Sequence, residues 1–92
     1  MTMADPALVH DEDRIRYVQS VYRRVLKLEQ EVTPEDDFFA LGGTSLTAVE
    51  VIDLIEAEQG LRLPVRNFYR STAIRELAGE LAPAPAESNR EA

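Results

Sequence analysis

Apolar residues return every three or four positions in three separate stretches of this chain, and no stretch sustains the alternation of a strand. Ile15, Val18, Val21, Tyr22, Val25 and Leu28 line one side of a helix expected over 13–28. Asp11, Glu12 and Asp13 sit at its start and Arg23, Arg24 and Lys27 at its end, as the helix dipole favours. Tyr17 lies off this stripe and reads as a packing or surface residue. Ala48, Val51, Ile52 and Ile55 form the stripe of a second helix over 45–59, closed by Gly60. There Thr47, Glu50 and Asp53 fall on the opposite side, with Leu46 and Val49 at the border. Val65 to Arg70 can hold one short helical piece, and Ile74, Leu77, Ala78 and Leu81 form the inner face of a last helix that Ser71 or Thr72 can cap. The expected fold is therefore all-α: a small bundle of three longer helices plus a short helix, with a long loop between the first and second.

The loop carries its own signals. Thr33-Pro34-Glu35-Asp36 reads as a helix start, kept short by Gly42 and Gly43. Phe38, Phe39 and Leu41 are apolar residues within a connection, and one or more should plug it into the core; Phe39 and Leu41 are expected to tie it to the helices. Residues 1–12 are polar and acidic without a period and read as a flexible leader, 13–82 as the folded domain, and 83–92, rich in Pro and Ala, as a disordered tail.

Composition removes several function classes. Ten Lys and Arg against seventeen Asp and Glu leave a net charge of −7 over 92 residues, against what phosphate-rich nucleic acid requires. There is no cysteine, which excludes disulfides and thiolate metal sites, and the single histidine, His10, lies in the acidic leader, so no metal centre is expected. No apolar run approaches the ~18 residues of a membrane span, and the first residues lack the pattern of a secretory signal. A cytoplasmic monomer is expected, with no nucleic-acid or membrane partner.

One segment exceeds what a plain bundle needs: Leu41-Gly42-Gly43-Thr44-Ser45-Leu46. Two glycines allow a tight turn and a close approach to another molecule. The serine that follows stands at a helix start, where backbone N–H groups and the dipole favour negative charge, so a phosphate ester on Ser45 would be well placed. The plainer reading is a turn followed by a Thr44 or Ser45 cap. Enzyme readings fail on particulars. Gly43-Thr44-Ser45-Leu46-Thr47 lacks the final glycine of a nucleophile elbow, no Gly-Lys-Ser/Thr phosphate loop exists, and Ser45 has no visible activator. Glu50, Asp53, Glu56 and Glu58 read as a solvated helix face.

Asp36-Asp37-Phe38-Phe39-Ala40-Leu41-Gly42-Gly43-Thr44-Ser45-Leu46 resembles the phosphopantetheine attachment motif of carrier proteins, in the form most like peptidyl carrier (thiolation) domains of nonribosomal peptide synthetases. Gly60 to Arg66 is similar to the family's loop after its second helix, and Ile74 to Ala78 to its last helix. The resemblance implies an acyl carrier protein-like fold and a protein that is not itself an enzyme. It implies a 4′-phosphopantetheine arm, taken from coenzyme A by a phosphopantetheinyl transferase with Mg²⁺, on Ser45. The arm's thiol would carry an amino acid or acyl group as a thioester between an adenylation or other loading enzyme and condensation or tailoring enzymes. It also implies partner recognition by Thr44, Leu46, Glu50, Asp53, Val65 and Arg66. The chain departs from the family where Thr44 replaces the usual His or Asp and where Thr72-Ala73 replaces a Pro-Thr pair. The acidic second helix resembles that of discrete acyl carriers. The expectation is a free-standing peptidyl or aminoacyl carrier of natural-product, including antibiotic, biosynthesis. The alternatives are an acyl carrier of a polyketide or fatty-acid type pathway and an unmodified helical adaptor.

Overall fold

Four helices follow one another in the computed structural model, which describes residues 10–81: α1 (Asp11–Leu26), α2 (Ser45–Gln59), α3 (Val65–Arg70) and α4 (Ile74–Glu80). Residues 1–9, most of the expected leader, and 82–92, with the expected tail, lie outside the described residues. Among the described residues there is no strand, only an isolated antiparallel bridge between Asp37 and Ala73. No helix among them is long and apolar enough to cross a membrane.

The first helix sits two residues earlier than its apolar period suggested. Asp11, Glu12 and Asp13 form its first turn, so Asp11 and Glu12 belong to the fold and not to the leader. It ends at Leu26 because Lys27 turns left-handed (φ 56°) and donates its N–H to the Arg23 carbonyl. α2 has the expected bounds, with Gly60 left-handed at its end (φ 69°). α4 starts differently from expectation. Its N-cap is Ala73, without a side-chain cap, because the N–H groups of Ile74 and Arg75 donate to the loop carbonyls of Asp36 (3.0 Å) and Pro34 (2.7 Å). Ser71 and Thr72 serve elsewhere: Ser71 donates to Glu80 at 3.2 Å and Thr72 to Asp37.

The core is drawn from every element. Val18, Val21 and Tyr22 of α1 meet Ala48, Val51 and Ile55 of α2, Phe68 of α3 and Ile74, Leu77 and Ala78 of α4, with Val32, Phe38, Leu61, Leu63 and Leu81 from connections. α1 packs on α2 and on α4, and α2 on α3. Three aromatic rings mark the centre: Phe38 meets Tyr22 edge-on at 4.9 Å and Phe68 at 5.1 Å. So the loop's plug is Phe38, fully buried, while Phe39 is 38% exposed and Leu41 only partly buried, which corrects the expectation for Phe39. Thr33-Pro34-Glu35-Asp36 forms a turn and no helix: the Asp36 N–H donates to the Thr33 carbonyl (3.0 Å) and the Thr33 N–H to the Asp36 carboxylate (2.8 Å).

At the far end of α2, Glu58 is clamped to α1. Arg24 donates to both its carboxylate oxygens (2.8 and 3.0 Å) and the Tyr17 hydroxyl donates to one (2.7 Å). Arg24 and Tyr17 hold the Glu58 carboxyl down at about 2. Burial and the Glu58 carboxylate push the Tyr17 hydroxyl up.

Candidate functional site

Asp37 organises the loop before Ser45. One carboxylate oxygen accepts the N–H groups of Phe39 (3.0 Å) and Ala40 (3.2 Å), and the other accepts the Thr72 hydroxyl. The Thr72 bond, with help from these two amides, holds the Asp37 carboxyl below the usual range against the opposing effect of burial. The Thr72 carbonyl in turn accepts the Phe38 N–H (3.0 Å) and the Tyr22 hydroxyl (2.9 Å). Desolvation, followed by the nearby Asp37 charge, pushes the Tyr22 hydroxyl up.

The turn then passes its geometry forward. The Leu41 N–H donates to the Asp37 carbonyl (3.0 Å), Gly42 to Phe39 (3.1 Å) and Gly43 to Phe38 (3.0 Å). Both glycines are required, for different reasons. Gly42 has φ 105°, which side chains disfavour. Gly43 lies against the Phe38 ring, where a Cβ would come within 2.2 Å of a ring carbon.

Thr44 caps α2 through a reciprocal pair with Thr47: the Thr47 N–H donates to the Thr44 hydroxyl (3.2 Å) and the Thr44 N–H to the Thr47 hydroxyl (2.8 Å). The Thr44 side chain is thereby engaged in holding the helix start. Ser45 is the first residue of α2 and is exposed. Among the described residues its hydroxyl has no hydrogen-bond partner, and the amides of Ser45 and Leu46 have none either. The first turn of α2 holds no acidic residue. A phosphodiester on the Ser45 oxygen fits this position: it would meet open N–H groups and the positive end of a 15-residue helix, with no carboxylate in that turn to repel it.

The surroundings form a surface. Leu46 is 71% exposed, farther out than the border position its spacing suggested, and Val49 and Val65 are also exposed. Glu50 and Asp53 point outward from α2 and Arg66 from α3, each exposed. Phe39 stacks on Tyr69 of α3 at 5.7 Å with the rings 7° from parallel, so α3 flanks the loop that leads to Ser45. Two clefts of about 240 and 230 Å³ lie elsewhere, the first lined by Asp11, Ile15, Arg75, Ala78 and Gly79, the second by Ser20, Arg23, Arg24 and Leu28. Among the described residues no group of His, Cys, Asp or Glu is placed to hold a metal ion. Sequence reasoning quoted Asp37 only as part of the motif, read Thr72 as a helix cap and gave Tyr69 no role; the contacts that Asp37, Thr72 and Tyr69 make join distant segments that local spacing does not display.

Residues 16–81 match the family described as "Phosphopantetheine attachment site". Nonribosomal peptide synthetase 7 of Aspergillus fumigatus is 34% identical over 76 residues, covering 82% of this chain and 3% of that protein. Tyrocidine synthase 3 of Brevibacillus parabrevis is 41% identical over 58 residues, covering 63% of this chain and 1% of that protein. The chain thus spans only 1–3% of the length of these relatives. A solved nonribosomal PCP domain superposes with a TM-score of 0.69 at 25% identity, covering 90% of this chain and 100% of that one. BlmI, a type-II acyl-carrier-protein from Streptomyces verticillus involved in bleomycin biosynthesis, shares the fold, with a TM-score of 0.68 at 22% identity over 75% of this chain and 82% of that one.

Proposed function

This chain belongs to the phosphopantetheine attachment-site family, a domain that carries covalently attached 4′-phosphopantetheine and is here of the nonribosomal peptide carrier type, and from that premise we propose that Ser45 bears the arm and that the cargo is an amino acid or peptidyl group. The observation that carries the assignment is the unengaged, exposed Ser45 hydroxyl at the start of α2, held there by the Thr44 cap and the Gly42-Gly43 turn.

In the attachment step the Ser45 oxygen forms a bond to the phosphorus that bears pantetheine in coenzyme A. The pyrophosphate P–O bond breaks, adenosine 3′,5′-bisphosphate leaves, and the hydroxyl proton passes to a base on the transferase. Within the proposal the partner supplies that base; no side chain among the described residues hydrogen-bonds to the Ser45 hydroxyl. When attached, the arm supplies a thiol that holds cargo as a thioester. The chain's own part is to present the oxygen, favour the phosphate's charge and offer a surface to each partner. Adenylation, condensation and tailoring reactions belong to those partners. Leu46 and Val65 supply apolar contact, Glu50, Asp53 and Arg66 supply charge, and Thr44 acts by fixing the helix start. Within the proposal the carrier works in trans, a reading supported by the exposed carboxylates of α2, Glu50, Asp53 and Glu56, in which it resembles discrete acyl carriers.

Intact-mass measurement after incubation with a phosphopantetheinyl transferase, Mg²⁺ and coenzyme A tests the site. The wild-type chain gains one phosphopantetheine and Ser45→Ala gains none while keeping its helical spectrum; an Ala variant that still gains the mass refutes the assignment. Loading by amino-acid adenylation enzymes, compared with acyl-transferring enzymes, tests the cargo.

A further inference from the structure

A hydrogen-bonded path runs from Thr72, just before α4, to Gly43, two residues before Ser45. The Thr72 hydroxyl donates to Asp37, whose other oxygen holds the Phe39 and Ala40 amides. The Thr72 carbonyl holds the Phe38 amide at 3.0 Å and the Tyr22 hydroxyl at 2.9 Å. The carbonyls of Phe38 and Phe39 then accept Gly43 at 3.0 Å and Gly42 at 3.1 Å. Gly43 leads directly into the Thr44 cap and Ser45. A single residue, Thr72, therefore joins α1 and the loop at the entry to α4: side-chain bonds tie it to Asp37, and backbone bonds within the 38–43 turn carry the geometry on to Gly43.

We propose that Thr72 and Asp37 are positioning residues for the attachment reaction: their clasp fixes the direction in which Ser45 offers its hydroxyl to the transferase. Neither touches the serine; both act through the 38–43 turn. This inference rests on Ser45 being the modified residue. Thr72 is well suited to the role because its hydroxyl and its carbonyl are both engaged with the loop, so one side chain and its own backbone set two points of the turn.

The test compares wild type, Thr72→Val, which keeps the shape and loses the hydroxyl, and Thr72→Ser, which restores it. Transfer from coenzyme A by a phosphopantetheinyl transferase is followed by intact mass, with kcat and KM separated, at a temperature where circular dichroism shows every variant folded. Amide resonances of the unmodified chains are recorded in parallel. Thr72→Val is expected to displace the resonances of Phe39, Ala40, Gly43 and Ser45 and to lower kcat/KM about fivefold, mostly in kcat, the scale of one lost hydrogen bond that positions a nucleophile. Thr72→Ser is expected to recover both to within about twofold. A Thr72→Val chain modified at the wild-type rate, resonances at Gly43 and Ser45 that do not move, or a Thr72→Ser chain as slow as Thr72→Val would each overturn the proposal. If Thr72→Val does not fold, Tyr22→Phe, which removes the second donor to the Thr72 carbonyl, is read in the same way. A wild-type chain that gains no mass refutes the carrier assignment instead, and the resonance comparison still decides whether Thr72 sets the geometry at Ser45.

Discussion

The two ends of α2 follow opposite designs. At the C-terminal end Glu58 is held by three hydrogen bonds from Arg24 and Tyr17, and Gly60 closes the helix through its N–H to Glu56. At the N-terminal end Thr44 and Thr47 satisfy each other, and Ser45, Leu46 and Val49 face outward. One end spends its polar groups on α1; the other keeps a hydroxyl, two amides and apolar side chains free for another molecule. The difference teaches where order at the open end comes from. The Ser45 hydroxyl has no partner among the described residues, so the open end is held by the Thr44–Thr47 cap and, behind it, by Phe38 packed against Gly43 and the Asp37–Thr72 bond.

If so, the largest effect should follow from removing the floor of the open end. Phe38→Ala is expected to cost about 3–5 kcal/mol, a large part of the ~5–15 kcal/mol stability of a domain. Its melting temperature should fall by tens of degrees, while Phe39→Ala, at a residue 38% exposed, should lower it far less. Equal losses from the two in thermal denaturation would break the assignment of Phe38 as the plug.

Next in size is the apolar surface. Leu46→Asp should leave the melting curve unchanged within about 0.5 kcal/mol, because the side chain is 71% exposed, yet weaken productive contact with a loading enzyme by about tenfold or more, as loss of an apolar anchor does. Steady-state loading at several ionic strengths checks this, and the loss should persist at high salt.

The closed end should respond differently. Glu58→Gln is expected to cost about 1 kcal/mol or less, since Glu58 and Arg24 are 33% and 47% exposed and solvent screens the pair. Its pH dependence has a definite sign. The folded carboxyl titrates at about 2 against 4.5 without the fold, so its contribution is complete above pH 4.5 and is lost as pH falls through 2. Denaturant titrations of wild type and Glu58→Gln should therefore differ at pH 6 and converge toward pH 2, while arm attachment, measured near neutral pH, stays unchanged.

The smallest effect belongs to charge on the outer face. Glu50→Lys with Asp53→Lys should slow loading by a basic-surfaced partner at low salt and lose that effect as screening shortens to ~8 Å at physiological ionic strength. The same factor at low and high salt would show short-range contact instead of steering.

Much of this was legible from residue spacing. The bounds of α2 follow from Ser45 and Gly60, α3 covers the short helical piece expected over 65–70, and the inner face of α4 is the one its period marks. The attachment motif was readable because its residues are contiguous. What stayed hidden involves distance along the chain. Phe38 and Phe39 are adjacent aromatics in a segment without period, so nothing local decides which is buried. Ser71 and Thr72 have the chemistry of caps but are taken by Glu80 and Asp37, while loop carbonyls satisfy α4. Glu58 looks like one more solvated carboxylate until Arg24 and Tyr17 fold against it.

The contact between Gly43 and the Phe38 ring also constrains how this loop can drift in descendants. A methyl group at position 43 meets a ring carbon at 2.2 Å, so Gly43 cannot change while Phe38 keeps its place. Shrinking the ring relieves the clash but empties the centre of the core. On this geometry a larger residue at 43 is accommodated only together with a smaller side chain at 38. The packing of the core at position 38 and the turn two residues before Ser45 are thus one steric unit.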